Sequence, residues 1–232
     1  MIATPTLRGI IKPMRPPRIG NIRAIPGLSV SNGAAYALNL TPAALAPGDL
    51  VIVFSHSAGS AVDPLTTSAG WSDSGLGDVV NTTQAHRMRC AYKFMGATPD
   101  TSIAFPGTGS ASYSASVIGL ALSGAASPMP FTATPRSATG VSAVTPPSIT
   151  PIDPDCLIVC AGGALMSTGC TLAGYVASYT STPSAGAGSS SLGEAYNLLT
   201  GGAGVTQTPG AFGGGFNATN YWVAMTLALK HN

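Results

Sequence analysis

Few residues in this chain have the means to do chemistry, and they do not converge in the sequence. The three histidines, His56, His86 and His231, lack metal-ligand spacing, and His231 is next to the terminus. A hydrolase would use His56, a serine such as Ser55 or Ser57, and an acid such as Asp73 or Asp78, because the serine needs a base and the base an orienting carboxylate. No Gly-x-Ser-x-Gly elbow accompanies them. A glycosidase requires two carboxylates across a cleft, yet Glu194 is the only glutamate. Gly201-Gly202-Ala203-Gly204 and Gly213-Gly214-Gly215 lack the Lys-Ser/Thr of a phosphate loop and open no plausible helix, so they read as turns or bulges. Cys90, Cys156, Cys160 and Cys170 fit neither a zinc pattern nor a dense disulfide framework. Cys156 and Cys160, four apart in an apparent strand, share a face but stand roughly 13 Å apart, too far for a bridge. All four are taken as small buried apolar residues. The expectation is no enzyme, no cofactor and no metal.

Two tryptophans remain. Trp222 lies in an alternating final strand and reads as core. Trp71, in a Gly-flanked loop, and Tyr175, at the matching place in the second half, are candidate ligand or interface aromatics.

The elements that would position these residues are strands. Only 8% of the residues are charged, while Gly (29) and Pro (19) abound, which favours strands and turns over surface helices. The longest apolar runs, Leu50 to Phe54 and Val117 to Leu122, fall far short of the ~20 residues of a membrane helix, so no membrane span is expected. The first residues show no secretory signal pattern, which suggests a protein that stays in the cytoplasm where it is made or leaves by another route.

Charge is uneven along the chain. Arg8, Lys12, Arg15, Arg18 and Arg23 all precede the first acidic residue, Asp49. Pro5, Pro13, Pro16, Pro17 and Pro26 punctuate the same stretch and forbid a long helix. Residues 1–27 therefore read as an extended arm without a core of its own, and the density of isoleucine there exceeds what a solvated tail needs. A disordered tail is one reading. The other, preferred here, is an arm that docks on a neighbouring subunit through Arg8, Ile10, Ile11, Lys12, Arg15, Arg18, Ile19 and Arg23. Five charges interleaved with isoleucines and no aromatics make a weak nucleic-acid arm, so no nucleic-acid partner is expected.

The rest of the chain repeats itself. Leu40-Thr41-Pro42 with Pro47-Gly48-Asp49-Leu50-Val51-Ile52-Val53 answers to Ile149-Thr150-Pro151 with Pro154-Asp155-Cys156-Leu157-Ile158-Val159, Asp49 being matched to Asp155. Gly70-Trp71 answers to Gly174-Tyr175 and Ala91-Tyr92 to Ala195-Tyr196, both 104 residues on (174 − 70, 195 − 91). Ser112 to Leu122 answers to Thr219 to Leu229, 107 residues on (219 − 112). On this alignment Asp49 and Asp155 are equivalent, which favours a structural role at a strand entrance.

Five strands are predicted in each copy: near 34–40, 49–57, 87–95, 101–105 and 113–123, then near 144–150, 156–162, 192–199, 204–208 and 220–230. Arg87, Arg89 and Ala91 alternate with Met88, Cys90 and Tyr92, the pattern of a strand with one wet face. Leu50 to Phe54 and Leu157 to Cys160 are continuous apolar runs, as in strands covered on both faces. Packing the halves face to face, or interleaving their strands, gives one all-β, jelly-roll-like sandwich of about ten strands over residues 28–232, with repeat one about 34–125 and repeat two about 144–230. The alternative is two small sandwiches joined by a linker at 124–144.

Pro-Gly-Asp before an apolar strand, then Gly70-Trp71, then Ala91-Tyr92-Lys93, then a strand ending in Leu122-Ser123-Gly124-Ala125 resembles the structural proteins of tailed-bacteriophage virions, of minor tail, fibre-associated and head-decoration type. The resemblance covers most of residues 36–125 and, more faintly, 144–229; the second copy departs from it at Tyr175 and Asn197. It implies a non-enzymatic component of the virion, assembled in the bacterial cytoplasm, whose partners are other virion proteins. A tail or fibre location is preferred, with a capsid decoration protein or a host-glycan-binding module as alternatives. A homo-oligomer is expected, because low charge and open strand edges are better tolerated when neighbours cover them.

Overall fold

The computed structural model describes residues 19–31, 33–58, 63–64, 66–73, 78–82, 86–108, 114–125, 136–140, 143–165, 169–181, 190–216 and 221–230. Their strands are β1 (Ile22–Ser31), β2 (Tyr36–Asn39), β3 (Leu50–Ala58), β4 (Asp78–Asn81), β5 (His86–Phe94), β6 (Ser102–Phe105), β7 (Ser114–Leu122), β8 (Arg136–Gly140), β9 (Cys156–Leu165), β10 (Val176–Ser181), β11 (Ser190–Leu199) and β12 (Trp222–Lys230). A single turn of 3-10 helix, Thr41–Ala43, is the one helical element among these residues. The protein is all-β.

Two five-stranded antiparallel sheets carry the architecture, with strand orders β1-β7-β3-β5-β4 and β10-β11-β9-β12-β8. They share one interior. Leu50, Ile52 and Phe54 of β3 and Ile118, Leu120 and Leu122 of β7 meet Leu157 and Val159 of β9 and Val223, Met225, Leu227 and Leu229 of β12. The alternate residues point outward and are buried too. Val51, Val53, Val117 and Ala121 pack beneath the small sheet β2–β6, through Leu38, Ile103 and Phe105. Ile158, Cys160, Ala224 and Ala228 pack beneath Val144, Ile149, Leu172, Phe212 and Phe216. The chain thus forms a cover, a sheet, a second sheet and a second cover. That layering is why β3, β7 and β12 read as unbroken apolar or small-residue runs instead of alternating.

Each sheet takes its strands from one half of the chain, and the two orders match: β1, β7, β3, β5, β4 correspond to β8, β12, β9, β11, β10. The pairing registers match as well. Leu50 pairs with Leu122 and with Phe94, and 107 residues on from Leu50 (157 − 50), Leu157 pairs with Leu229 and with Leu198. Gly70 and Gly174, 104 apart (174 − 70), both hold positive φ, +78 and +80. Ser72 bridges Tyr92 as Val176 pairs with Tyr196. In this register Asp49 corresponds to Cys156, so its expected equivalence with Asp155 is one residue out.

Several expectations are corrected. Residues 22–27 are not an arm, and no boundary falls near 28: β1 runs through it as an eight-pair partner of β7, with a bulge between Ile25 and Leu28 where Pro26 has no N–H to give. Strand β7 already has β3 on one side and offers an open ladder on the other, and Ile25 is fully buried there. No linker spans 124–144, because β8 pairs with β12 inside that stretch. The strands do not pass back and forth between sheets as a jelly-roll would require, because each half forms a complete sheet locally and closes by packing on the other. Strands near 144–150 and 204–208 shrink to one bridge, Ile149 to Gln207. Strands β4 and β10 were hidden in turn-rich composition.

Candidate functional site

The sheets face each other strand by strand. β3 packs on β9, β7 on β11, β5 on β12, β1 on β10 and β4 on β8. Under the correspondence above, β3 faces its own counterpart, while β7 faces the counterpart of β5 and β5 that of β7. This has the form of an isologous dimer within one chain, with a local two-fold axis where β3 meets β9.

His56 sits at that axis. Its counterpart, 107 residues on (163 − 56), is Gly163, and the two are in contact: a Cβ at Gly163 would lie 2.5 Å from His56 Cδ2. Two bulky residues cannot occupy the axis together, so glycine on one half makes room for imidazole on the other. His56 Nδ1 lies 2.8 Å from Ser190 Oγ, and its Nε2 lies 3.0 Å from His86 Nδ1. His86 and Ser190 are themselves counterparts, 104 apart (190 − 86), so one axial imidazole is held from both sides by equivalent positions. Ser116 Oγ continues the chain, donating to Ser190 Oγ and O at 2.9 and 3.0 Å, and contacts Ser29 Oγ at 2.8 Å. At the other end His86 Nε2 is buried without a partner. The counterpart of Ser116 is Val223, and a valine cannot bond it.

Burial keeps this cluster uncharged. His56 is held well below the ordinary histidine range by burial first and by the neighbouring His86 second, and burial lowers His86 to about 4. A polar row from Ser29 to His86 therefore crosses a mainly apolar interior and ties β3 and β7 to β11. Replacing Gly163 by alanine is expected to lower stability by about 1–3 kcal/mol, the usual cost of overpacking, measurable by urea unfolding. An unchanged midpoint would mean that the axis is looser than this contact implies.

Ionic groups are matched on the outside of the first sheet. Arg87 forks onto Asp78 at 2.9 and 2.6 Å, and Arg89 onto Asp63 at 2.8 and 2.5 Å. Asp73 stands 3.7 Å from Arg89. The wet face expected of β5 is therefore a network of ion pairs. Lys93 holds Asp100 at 2.7 Å, and Asp100 accepts the indole N–H of Trp71 at 3.1 Å. Lys230 lies 3.5 Å from Asp153. Asp155 accepts the Gly201 N–H at 3.0 Å, a structural role in a turn where Gly201, Gly202 and Gly204 take positive φ.

The residues singled out from the sequence come together only in part. Ser55 lies on the opposite side of β3 from His56 and donates to the Pro64 carbonyl at 2.6 Å. Asp73 and Asp78 belong to the arginine network, so the hydrolase set His56, Ser55 or Ser57, Asp73 or Asp78 is not assembled. Glu194 is wholly buried between the sheets. Ser178 donates to its Oε1 at 3.0 Å, its Oε2 has no partner, and burial raises its carboxyl to about 8. The four cysteines are free; Cys90, Cys156 and Cys160 are buried and Cys170 half-buried. Burial pushes the thiols of Cys160 and Cys170 up to about 12 and that of Cys156 to about 11, so none has the lowered thiol of a reactive cysteine. Trp222 is core, as expected. Trp71 and Tyr175 pack half-buried against the outer cores of the two halves.

Of the proposed docking residues, Arg8, Ile10, Ile11, Lys12, Arg15 and Arg18 lie outside the described residues. Ile19 and Arg23 serve the body instead. Ile19 is buried in the shared interior, and Arg23 bonds the Ala44 carbonyl at 3.0 Å and Asp49 at 2.5 Å. Asp49 also caps the Ala46 N–H at 2.7 Å. His86, Ser116, Ser190 and Gly163 were missed, although the repeat offsets already placed glycine opposite His56 and serine opposite His86. Among the described residues no group of three or more His, Cys, Asp or Glu side chains could hold a metal ion, and no helix is long and apolar enough to cross a membrane. Comparison of the chain with protein-family models, curated proteins and solved structures finds no match.

Proposed function

We propose that this chain is a non-enzymatic structural component of a tailed-bacteriophage virion, a duplicated sheet unit folded into one sandwich, joined to the particle by the residues that precede Ile19. The observation that carries this reading is how the polar side chains are used. Arg23, Arg87, Arg89, Lys93 and Lys230 each face a carboxylate of the same chain, and both described histidines lie inside the sandwich. Such groups bind the fold to itself and leave it as a rigid, nearly uncharged body suited to close packing with copies of itself or with other virion proteins. The matching sheet orders and registers support the duplication. The basic residues Arg8, Lys12, Arg15 and Arg18 then serve as the tether, with a tail or fibre location preferred.

The test is a chain lacking residues 1–18, produced during infection in place of the full chain. Its copy number per particle should fall at least tenfold while the purified protein keeps the strand signal of the full chain in circular dichroism. Normal incorporation of a folded truncated chain would remove the tether from this reading. Electron microscopy of the particles would show whether copies sit on tail or head.

A further inference from the structure

We propose that His56, His86 and Ser190 form an acid-operated latch: while both imidazoles are neutral they hold one end of the sandwich shut, and proton uptake opens that end while the aliphatic end stays closed. The cluster is cross-sheet, since His56 and Ser116 of the first sheet both reach Ser190 of the second. It occupies one end of β3, β5, β7, β9 and β11: His56, His86, Ser116, Gly163 and Ser190 each lie within two residues of the strand terminus at Ala58, His86, Ser114, Leu165 and Ser190. The opposite end is closed by Leu50, Leu122, Leu157 and Leu229, none of which can titrate.

Each contact in the row holds one proton. The His56–His86 contact needs a donor on one ring and a bare nitrogen on the other at 3.0 Å. If both rings are charged, two N–H groups oppose each other and the contact breaks. If one is charged, the charge has no counter-ion. On β5, Arg87 and Arg89 point to the outer face and are occupied by Asp63, Asp73 and Asp78, while Cys90 faces inward with its thiol pushed far up by burial. On β11, Glu194 lies four residues along the inner face and stays protonated below about pH 8, so it supplies no negative charge. Strand β9 brings Gly163 to the cluster, β7 brings Ser114 and Ser116, and β1 brings Ser29. From β4, Asn81 pairs across from His86, and Asp78 is engaged by Arg87. Val223 of β12 is aliphatic, and Lys230 lies at the far end of that strand. The lowered affinity of both rings for protons follows from this setting.

Amide hydrogen exchange of the full chain at pH 7.5 and pH 5, corrected for the intrinsic pH dependence of exchange, tests the latch. Protection at His56, Met88 and Leu192 should fall at least tenfold on acidification while that at Leu50, Leu157 and Leu229 changes less than twofold. Equal loss at both ends, or no loss at either, would overturn the proposal. In His86→Gln, which bonds His56 without titrating, the loss at the latch end should shrink at least threefold; an unaltered loss counts against it. Should that variant not fold, imidazole 15N shifts of the unmodified chain decide. Protection of the neighbouring amides that falls below pH 6.5 and levels off where the rings of the folded chain titrate supports the latch, and protection that does not fall above that titration refutes it.

Discussion

A chain that begins after Ser31 is expected to lose cooperative folding, whereas one that begins at Ile19 keeps it. Strand β1 fills the open ladder of β7 along eight register pairs, and without it β7 becomes an unprotected edge in the middle of an apolar surface. Ile25 is fully buried and Ile19 nearly so, and Ile22, Leu28 and Val30 pack part-buried against the two cores that β1 borders. At about 1.5–3 kcal/mol for each fully buried aliphatic side chain, Ile19 and Ile25 alone are worth about 3–6 kcal/mol, and the partly buried three add to that. The tie from Arg23 to Asp49 is lost as well, leaving a carboxylate only 4% exposed without its cation. The sum rivals the whole stability of an ordinary domain, roughly 5–15 kcal/mol. Urea unfolding followed by circular dichroism would show a sloping, non-cooperative trace for the chain starting at Gly33 or Ala34 and a full transition for the chain starting at Ile19. A sharp transition at the original midpoint in the shorter chain would mean that β1 is dispensable.

Glu194→Gln should stabilise the protein strongly in alkali and little in acid. The ordinary value of this carboxyl is 4.5 and burial raises it to about 8, so the folded state holds the proton more tightly than the unfolded chain. Its stabilisation is complete below pH 4.5 and is lost as the pH rises through 8. At about 1.4 kcal/mol per unit, the folded protein forfeits on the order of 5 kcal/mol between those limits. A glutamine keeps the acceptor for Ser178 and has no charge to bury. At pH 9 the variant should therefore exceed the parent by several kcal/mol, and at pH 4.5 the two should agree to within about 1 kcal/mol. The comparison at two pH values is the check, and a constant difference across the range would sink it.

The histidine cluster acts with the opposite sign. His86 falls from 6.5 to about 4, so the stability it allows is whole above pH 6.5 and declines as the pH drops through 4, by about 3 kcal/mol at 1.4 kcal/mol per unit. Between pH 6.5 and 4.5 the gain at Glu194 and the loss at His86 offset each other. Glu194→Gln removes the gain, so the variant should lose stability in acid more steeply than the parent. His56, lowered in the same direction, adds to the loss, so the parent should also decline in acid, less steeply than the variant.

Much of the body could be read from residues in order. The runs Leu50 to Phe54 and Leu157 to Cys160 demanded cover on both faces, and both have it. Of the landmarks at offsets of 104 and 107, Ala91-Tyr92 and Ser116 to Leu122 have counterparts in the same pairing registers, and Gly70 and Gly174 share a turn with positive φ. Strand β1 escaped because Arg23, Pro26 and Gly27 look like the residues of a tether; what makes them a strand is the vacant side of β7, a neighbour about 90 residues away. Strand β10 escaped because Ser and Thr in VASYTS resemble the turn composition that follows.

The order of residues by itself determined the class of structure and its two-part plan, because strand periodicity, turn chemistry and repeated landmarks are local properties of the chain. Which residues would meet at the centre was decided only by tertiary packing. His56 stands in a strand otherwise filled with apolar and small residues, and nothing near it in sequence names its partners. They are 30 and 134 residues away, and they became neighbours when one sheet closed on the other about an axis that puts an imidazole against a glycine. A side chain's proton affinity depends on what surrounds it in space, so the chemistry of that cluster came into being with the fold.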